Sequence, residues 1–514
     1  MRRHVYIGFL GAIALGLVLY LPLLSGWYDL NGIPEARGVE TGRGVPSSPN
    51  HMLYQPVGFL MYQLAGFLGY SGPSAPVLQV LTALFGALGL GFVFLTYHHL
   101  SKRVGIGLAV TAMLATSWAY WSFSTDISYI VPAAAVVAAA LAIGTRPRLS
   151  TPASVGLGLI AALAVLFWQA NVFLIPTLAA GLLWTRRARL PQTSVFVLVA
   201  TLAAGLSYVG VGIVVHGQTT PLGAVTWALR YGGASLPTWG HWSLDRLPLA
   251  VIHQMSSVFP LGAGMRLDQL TQVLVSPRLD RLAIAAVGVV AVWLLVSRLR
   301  GRPARQADSI AWLLLGYLLY FVFIVWWDPQ EPKWFIIPNI LLGAILAILL
   351  VRRPLQRYDK PVLLGCVAVV AASNFFTTIW PRHAEANPSL ATARCISERM
   401  SERDIILAGD WSWDGYVTYF YRREVLLLVG ATAQYGSKEA ALTALGELIR
   451  KRLAAGNRVF ISDMAAYSAD YWTWLTAQTG FRPDDFAPLA TQPAFDCNGV
   501  RIRQVMSISS STVP

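Results

Sequence analysis

Long apolar segments separated by short polar ones fill the chain from its beginning to about residue 380. A helix needs about 20 apolar residues to cross the roughly 30 Å of bilayer hydrocarbon; some segments reach this length and others are shorter. The predicted spans are 5–25, 76–97, 104–121, 127–144, 152–168, 172–185, 194–215, 281–298, 310–326, 334–351 and 361–380. The pattern therefore predicts a polytopic α-helical membrane protein with about 11 transmembrane helices.

Charged residues divide the predicted loops into two sides. One side carries the basic clusters Arg2-Arg3, Lys102-Arg103, Arg146 with Arg148, Arg186-Arg187 with Arg189, and those within 298–305 and 352–360. The opposite loops carry the acids Asp29, Glu35, Glu40, Asp126, Asp245, Asp268, Asp280, Asp328 and Glu331. Because cytoplasmic loops are enriched in Lys and Arg, we predict a plasma (inner) membrane protein with a cytoplasmic amino terminus and outward-facing acids.

The periodicity changes after residue 380 to that of a water-soluble domain. Three stretches read as buried strands, 404–409, 424–429 and 458–463. Ser437 is predicted to cap a helix that runs to about Ala455. This alternation indicates a small α/β domain. The predicted domains are a transmembrane module at 1–380 and, after an odd number of spans, an extracytoplasmic domain at 381–514.

Two of the outward loops in the transmembrane module are long, 27–75 and 216–280. Each contains an apolar piece, 53–70 or 247–264, that is too short or too interrupted to span the bilayer. Such pieces are typical of helices that lie in the membrane interface. We therefore expect the outer face of the module to be built by helices as well as by irregular loops.

Composition and charge support a membrane protein and argue against a nucleic-acid partner. Hydrophobic residues make up 55% of the chain and charged residues 12%, which is about half the charged share of a soluble domain. The formal net charge is +14, but acidic and basic residues are equal in number after Pro381. The excess positive charge therefore lies in the membrane part, where it fits orientation and contact with anionic membrane lipid rather than DNA binding.

The three cysteines leave one question open. Cys366 lies in an apolar span, whereas Cys395 and Cys497 flank the predicted outer domain. A disulfide between the last two fits an exported domain, and a pair of buried free thiols fits equally well.

Residues able to do chemistry occur in three outward segments. Residues 27–55 contain Asp29 and Glu35 and lead into Pro49-Asn50-His51-Met52-Leu53-Tyr54-Gln55-Pro56. Residues 125–129 contain Asp126, and residues 327–338 contain Glu331 and Lys333. An acid after the first span, a His-x-x-Tyr-x-Pro stretch, an acid in the second outward turn and a cation in a late turn predict chemistry at the outer membrane surface.

This order resembles the GT-C class of integral membrane glycosyltransferases, which includes aminoarabinose transferases of lipid A and protein O-mannosyltransferases. The resemblance covers about residues 1–380 in layout, with motif similarity at 29–56, 125–129 and 327–338. It implies a GT-C-like fold and a polyprenyl-phosphate sugar donor. The sugar would be moved to a lipid, glycan or protein acceptor at the outer face of the membrane, by inverting displacement.

The resemblance makes Asp29, Glu35 and Asp126 candidate catalytic residues, and alternatives to this assignment remain. A carboxylate is the usual base for an acceptor hydroxyl, and the family places its first-loop acid near Asp29. Relatives often show Asp-Glu followed by Arg-Tyr, and Pro34-Glu35-Ala36-Arg37 offers an alternative register in which Glu35 is the base. Asp29 also fits an Asx turn. Asp126 would hold the acceptor, cap a helix, or share a divalent metal ion with Asp29; no cofactor is certain.

The lipid phosphate requires polar and positive partners. Lys333 is the only basic residue in its turn, and its alternative role is that of a lysine snorkelling to the headgroups. The substrate-binding candidates are His51, Tyr54, Arg230, Arg246, His253, Arg266, Glu331 and Lys333. For the loop arginines a structural role is the leading alternative, and His51 also fits an interfacial histidine with no ligand.

Aromatic residues are abundant in the predicted outer domain. The group consists of Trp411, Trp413, Tyr416, Tyr419 and Tyr421. Core packing is the first expectation for this group, and stacking on sugar rings is the alternative.

Competing functions are a transporter or flippase of lipid-linked sugars, a polysaccharide polymerase or ligase, and an export-machinery subunit. Transporters usually carry charges and Gly or Pro breaks in mid-span and often consist of two related halves. Here the acids lie in loops and no half-repeat is evident, which favours the enzyme.

Overall fold

A computed structural model of the chain describes residues 3–29, 31–42, 44–46, 48–229, 240–260, 288, 307–351, 359–409 and 413–509. The described residues form two compact units. The first contains the residues up to Ser25, those from Gly38 to Leu229 and those from Gly240 to Ala384. The second contains Gly26–Arg37 and the chain from Glu385 onward, so part of the first outward loop, which the predicted boundary at 380 assigned to the transmembrane module, belongs to it.

The first unit is helical. Its helices are Arg3–Tyr20, Tyr54–Phe67, Ser74–Ser101, Val104–Ala115, Trp118–Ser124, Ile130–Gly144, Thr151–Phe167, Leu174–Trp184, Leu190–Val214, Pro221–Leu229, Arg246–Ser256, Ala307–Trp327, Ile336–Leu349, Asp359–Asn374 and Trp380–Ala384. Helix Gly32–Thr41 begins in the second unit and ends in the first. Short 3₁₀ turns occur at Leu21–Leu23, Pro49–His51, Gln169–Phe173 and Pro332–Phe335, and a π turn at Phe375–Ile379.

Six helices of the described chain are long and apolar enough to cross a membrane, so the protein is an integral membrane protein. They are Arg3–Leu23, Ser74–Ser101, Leu190–Val214, Ala307–Trp327, Pro332–Leu349 and Lys360–Arg399. A seventh span is obtained if a bent helix pair counts as one. Shorter apolar helices occupy three more of the predicted spans, and predicted span 281–298 lies outside the described residues except for Gly288. The number of eleven stays a prediction.

Helix Ser74–Ser101 is the most buried of the long spans together with Pro332–Leu349, and it contacts both Arg3–Tyr20 and Ile130–Gly144. Glycine permits the first contact, because a Cβ atom at Gly16 would lie 2.6 Å from the Cα atom of Ala87. Small residues at a crossing let helix backbones approach closely, which is how helices associate where lipid supplies no hydrophobic drive.

The bent pair consists of Val104–Ala115 and Trp118–Ser124, whose axes differ by 68°. A break frees backbone amides, and in an apolar environment these must be satisfied by other protein groups. The first two amides of the second helix donate to the carbonyls of Val258 and Ser257, at 3.0 and 2.9 Å. The bend is therefore compensated, and it leads the chain directly to the second outward turn.

Gln79 connects two segments at one end of the helix bundle. Its Nε2 donates to the carbonyl of Ser25 at 2.7 Å and to that of Thr125 at 3.5 Å, and the Ser25 amide donates to the Thr125 carbonyl at 2.9 Å. Gln79 is buried, so leaving its amide unpaired would cost free energy. The end of the first span and the turn that holds Asp126 are thus joined to one side chain of the same helix.

The second unit contains a five-stranded sheet of order β2-β1-β3-β5-β4. The strands are β1 Ile405–Ala408, β2 Glu424–Leu427, β3 Val459–Ser462, β4 Leu489–Cys497 and β5 Val500–Ile508. Strand β1 pairs in parallel with β2 and β3, whereas β5 pairs antiparallel with β3 and β4. Its helices are Pro388–Arg399, Asp414–Tyr421, Leu428–Tyr435, Lys438–Ala454 and Ala469–Thr479, with 3₁₀ turns at Met464–Ala466 and Pro483–Phe486.

Local sequence explains much of this unit. Strands β1, β2 and β3 lie inside the three stretches predicted as strands, and β1 and β3 are buried throughout because they are apolar at every position but Ser462. The Ser437 hydroxyl accepts from the Ala440 amide at 3.1 Å and caps helix Lys438–Ala454, as predicted. Cys395 and Cys497 form a disulfide, which decides between the two alternatives for these thiols.

Candidate functional site

Lys333 is buried in the first unit, with 2% of its side chain exposed. Its Nζ lies 3.5 Å from the Glu331 carboxylate, 5.2 Å from the centre of the Trp334 ring and 5.7 Å from that of Phe123. A snorkelling lysine would extend to the protein surface, so that alternative does not fit this position. Glu331 is about half exposed, at 46%. The pair places a cation inside the protein and its carboxylate partner nearer the surface.

The turn that carries Lys333 is held by its aromatic neighbour. Trp334 donates from Nε1 to the Asp328 carboxylate at 3.4 Å, and its ring stacks on Trp168 at 5.5 Å and 12°. Proline at the start of the 3₁₀ turn Pro332–Phe335 restricts the backbone there. A cation against aromatic faces gains about 0.5–2 kcal/mol. The rings of Trp334 and Phe123 therefore help the Glu331 carboxylate to stabilise the buried ammonium.

Parts of the three motif segments meet in the first unit, without the stretch of the first segment that contains Asp29 and Glu35. The His51 ring stacks on Tyr129 with 4.1 Å between ring centres. The side-chain Nδ2 of Asn50 donates to the Tyr129 hydroxyl at 3.5 Å. Tyr129 in turn lies 6.4 Å from the Trp334 ring. Residues from 49–56, 125–129 and 327–338, which are far apart in sequence, therefore form one cluster with Lys333 at its edge.

His51 and Tyr54 are both buried in this cluster. Burial lowers the pKa of His51 from 6.5 to about 4, so its imidazole is neutral near pH 7. It offers a hydrogen-bonding group to a ligand and no positive charge. Tyr54 packs edge-on against Tyr129 at 6.4 Å, and its hydroxyl shares a hydrogen bond with Thr82 at 3.3 Å.

Asp126 is fully buried and forms an ion pair with Arg382, whose Nη2 lies 2.9 Å from Oδ2. Its Oδ1 accepts from the Ile127 amide at 2.7 Å, and Arg382 also donates to the Ser122 hydroxyl. The Asp126 carboxylate is therefore paired with a guanidinium, and its role as a metal ligand stays a prediction. No group of three or more His, Cys, Asp or Glu side chains with metal-site geometry occurs in the described part of the chain.

Arg382 was missed by sequence reasoning. It directly follows Pro381 at the end of the last predicted span, where a basic residue is normally read as a topology signal.

Arg246 supports the backbone. Its guanidinium donates to the carbonyls of His241 at 2.6 Å, Trp326, and Trp327 at 3.3 Å, so it caps the end of helix Ala307–Trp327. Arg246 therefore has the structural role that was the leading alternative for the loop arginines.

His253 is buried on helix Arg246–Ser256, which packs against the turn Pro332–Phe335. Arg230 and Arg266 lie outside the described residues.

Asp29 belongs to the second unit. Its Oδ1 accepts from the Asn31 amide at 3.4 Å, which is the predicted Asx turn, and its carbonyl accepts from Gly32 at 2.8 Å. The hydroxyl of Tyr416 donates to the carbonyl of the preceding residue, Tyr28, at 2.8 Å. Within this unit the backbone beside the half-buried Asp29 is therefore fixed from two directions.

Glu35 is buried, at 5% exposure, in the first turn of helix Gly32–Thr41. Its neighbour Ile33 packs against Gly415 of the same unit. Glu35 is therefore more deeply buried than Asp29, which is half-buried.

The aromatic group of the second unit serves packing. Trp413, Tyr416 and Tyr419 are buried, which agrees with the first expectation, while Trp411 lies outside the described residues.

No protein-family model matches the sequence, and no curated protein matches it significantly. Solved structures do match. ArnT from Cupriavidus metallidurans, bound to undecaprenyl phosphate, is similar with a TM-score of 0.55 and 13% identity, over 96% of this chain and 97% of that one. The oligosaccharyltransferase of Archaeoglobus fulgidus, tethered to an acceptor peptide, is similar with a TM-score of 0.56 and 12% identity, over 100% of this chain and 74% of that one.

A further structure of the archaeal oligosaccharyltransferase AglB, from the same organism, contains an inhibitory peptide and a dolichol-phosphate. It matches with a TM-score of 0.52 and 12% identity, over 100% of this chain and 75% of that one. These similarities give the chain the fold of the GT-C class of membrane glycosyltransferases.

Proposed function

We propose that the protein is a glycosyltransferase that moves a sugar from a polyprenyl-phosphate donor to an acceptor at the outer face of the membrane. The observation that carries the proposal is the buried Lys333 at the edge of a cluster built by all three motif segments. Two proteins with this fold have structures with undecaprenyl phosphate and dolichol-phosphate. A phosphate is the anion that a buried cation next to a bilayer would stabilise best.

The reaction is a displacement at the anomeric carbon of the donor sugar. The acceptor hydroxyl oxygen forms a new bond to this carbon as the bond to the phosphate oxygen breaks, and the electron pair leaves with polyprenyl phosphate. The hydroxyl proton passes to a carboxylate, which acts as general base. The configuration at the anomeric carbon inverts, because the nucleophile enters opposite to the leaving group.

Lys333 is assigned to the leaving group. The phosphate gains negative charge as the glycosidic bond breaks, and a fixed ammonium near it stabilises that charge most in the transition state. Glu331 offsets part of the lysine's positive charge in the absence of substrate, since its carboxylate lies 3.5 Å from Nζ. Neutral His51 would add a hydrogen bond without a second positive charge.

Asp29 is assigned as the base, with Glu35 as the alternative. Asp29 is half-buried, whereas Glu35 is 5% exposed and sits in a helix. An accessible carboxylate reaches an acceptor more readily, which favours Asp29. Asp126 is assigned a positioning role through Arg382, and no step is routed through a metal ion.

The second unit is assigned to the outer side of the membrane. Its Cys395–Cys497 disulfide requires an oxidising compartment, which the cytoplasm is not. In intact cells, we expect both cysteines to resist alkylation by a maleimide until a reductant is added. Labelling of both thiols without a reductant would place this unit in the cytoplasm.

The phosphate site can be tested with purified protein and undecaprenyl phosphate as the probe. We expect the wild type to bind undecaprenyl phosphate and to bind undecaprenol, which lacks the phosphate, far more weakly. Lys333→Gln should weaken phosphate binding by about 10- to 100-fold, because a hydrogen bond to a charged group contributes about 1.5–3 kcal/mol. Lys360→Gln is the matched control, since Lys360 is exposed on the same unit.

The transfer reaction can be tested in proteoliposomes with polyprenyl phosphates that carry labelled arabinose, aminoarabinose, mannose or glucose. We expect one donor to release free polyprenyl phosphate, and Asp29→Asn to slow that release by at least about 100-fold. If Glu35→Gln releases polyprenyl phosphate slowly while Asp29→Asn releases it at the wild-type rate, Glu35 is the base. Unchanged turnover in both variants, or movement of intact donor across the bilayer without release, would reject the assignment.

A further inference from the structure

The second unit contains a cleft of about 670 Å³ at the carboxyl end of β3. Ligand sites typically occupy about 300–1,000 Å³, and sheets that contain parallel strands bind ligands beyond strand carboxyl ends. Its chemically distinctive lining residues are Asp463, Tyr467, Trp472, Phe486, Thr491 and Arg503. None of these residues was singled out by the motifs or used in the proposed reaction.

Asp463 supplies an unused carboxylate. It directly follows β3, where its amide donates to the Arg501 carbonyl at 2.8 Å and fixes the backbone. It stands at the start of the 3₁₀ turn Met464–Ala466, yet its side chain does not cap that turn. The carboxylate forms no hydrogen bond or ion pair with any residue that the structure describes, although the residue is half-buried. A helix cap is therefore not its role.

Arg503 supplies the complementary donor. It lies opposite Ile461 in the pairing of β3 with β5, so its side chain shares the sheet face on which Ile461 lines the cleft. Thr491 holds it, because Nε donates to the threonine hydroxyl at 2.8 Å and Nη2 to the threonine carbonyl at 3.2 Å. Its Nη1 makes no hydrogen bond to another residue within the described ranges, and no ion pair links Arg503 to Asp463.

An aromatic group also lines the cleft. Trp472 lies 6.0 Å from Tyr467 and 6.4 Å from Phe486 between ring centres. Its Nε1 donates to the Met464 carbonyl at 3.1 Å, and the Tyr467 hydroxyl bonds the Ser462 hydroxyl at 2.6 Å. These bonds fix two of the rings before any ligand arrives, which lowers the entropy cost of binding.

We propose that this cleft binds one or two neutral sugar residues of a carbohydrate acceptor. A sugar presents vicinal hydroxyls that donate to a carboxylate and accept from a guanidinium, and C–H faces that pack against aromatic rings. One free acid and one free donor match hydroxyl groups better than a phosphate, which Asp463 would repel. This inference deepens the proposed function and rests on it only in naming the bound sugar as the acceptor.

Binding can be measured on the purified full chain without any donor. The probes are neutral disaccharides of mannose, glucose, galactose or arabinose, detected by saturation-transfer NMR and titration calorimetry. We expect at least one disaccharide to bind. Asp463→Asn and Arg503→Gln should each weaken binding by about tenfold or more. Asp484→Asn and Arg450→Gln are matched controls, because both residues are exposed on the same unit and neither lines the cleft.

Thr491→Val keeps the side-chain shape but removes the hydroxyl that orients Arg503. This variant should weaken disaccharide binding without changing the unfolding temperature. It therefore tests the cleft even if Asp463→Asn or Arg503→Gln folds poorly. The inference is overturned if no disaccharide binds, or if the cleft variants bind as tightly as the controls. Because the assay contains no donor, a protein that binds sugars but never releases polyprenyl phosphate would reject the transferase proposal and leave the cleft assigned.

Discussion

Arg382 and Asp126 form an ion pair of 2.9 Å that joins positions 256 residues apart, and the carboxylate is fully buried. The Arg382 side chain keeps 21% exposure, so the pair lies at the boundary between protein interior and solvent. A buried carboxylate without its cation would be strongly destabilising. The pair therefore links the second outward turn to the segment that follows the last predicted span.

Breaking this pair from one side should cost more than removing both charges. We expect Arg382→Gln to lower stability by about 3 kcal/mol or more, because it strands a buried charge. The double variant with Asp126→Asn should recover part of the loss, and thermal unfolding in one detergent measures the coupling. The exposed pair Arg394–Glu398 is the control, with an expected coupling below about 1 kcal/mol. Additive losses at Asp126 and Arg382 would contradict a coupled pair.

His51 should make stability depend on pH. Its pKa of about 4 in the folded protein, against 6.5 when unperturbed, means that the unfolded chain binds a proton in this window and the folded chain does not. Stability should therefore fall by up to about 3 kcal/mol as pH drops from 7 to 4. His51→Gln should remove this part of the slope, whereas His241→Gln at an exposed site should not. Identical slopes in all three proteins would refute the shift.

Two of the three glycines of the first helix, Gly11 and Gly16, should respond differently to alanine. A Cβ at Gly16 would lie 2.6 Å from the Ala87 backbone, so Gly16→Ala must push two helices apart at a cost of about 1–3 kcal/mol. Gly11 has no neighbour within 4 Å in the described structure, so Gly11→Ala should be neutral or stabilise by up to about 1 kcal/mol. Thermal unfolding of both variants decides, and a Gly16 variant as stable as the Gly11 variant would mean that the contact is looser than described.

Tyr416 should act through the Asp29 backbone. Tyr416→Phe removes the hydrogen bond to the Tyr28 carbonyl. If Asp29 is the base, as proposed, this variant should reduce turnover by about 10- to 100-fold, because small displacements of a catalytic group are costly. The donor concentration at half-maximal rate should not change. Tyr471→Phe removes an equivalent bond, to Gly409, elsewhere in the unit and serves as the control. Equal effects of both variants on rate would reduce Tyr416 to a structural role.

The pattern of apolar residues predicted the helices better than it predicted the contacts between distant segments. The apolar piece at 53–70 is helix Tyr54–Phe67, and the one at 247–264 holds helix Arg246–Ser256, because apolar periodicity is a local signal. The predicted span 104–121 is instead bent. The backbone amides that the bend frees donate to the carbonyls of Ser257 and Val258, far along the chain. A partner so distant in sequence leaves no trace near the bend.

The hairpin of β4 and β5 was missed although its turn was readable. Asn498 and Gly499 have φ values of 55° and 85°, which is the type I′ turn that an Asn-Gly pair favours. For the site, the three motif segments were identified from their residues. The ion pair of Arg382 with Asp126 and the stacking of Trp334 on Trp168 were not predicted. Both depend on side-chain packing between segments, which no single segment encodes.

The side-chain amide of Gln79 couples two segments of the chain, so that they move together. A bilayer that thins or thickens changes the tilt of its helices, and a catalytic apparatus mounted on independent helices would lose alignment with each change. Because Ser25 and Thr125 bond to the same side chain of helix Ser74–Ser101, tilting that helix carries both along together. The distance from the first span to the buried acid beside Thr125 is thereby insulated from the thickness of the surrounding lipid.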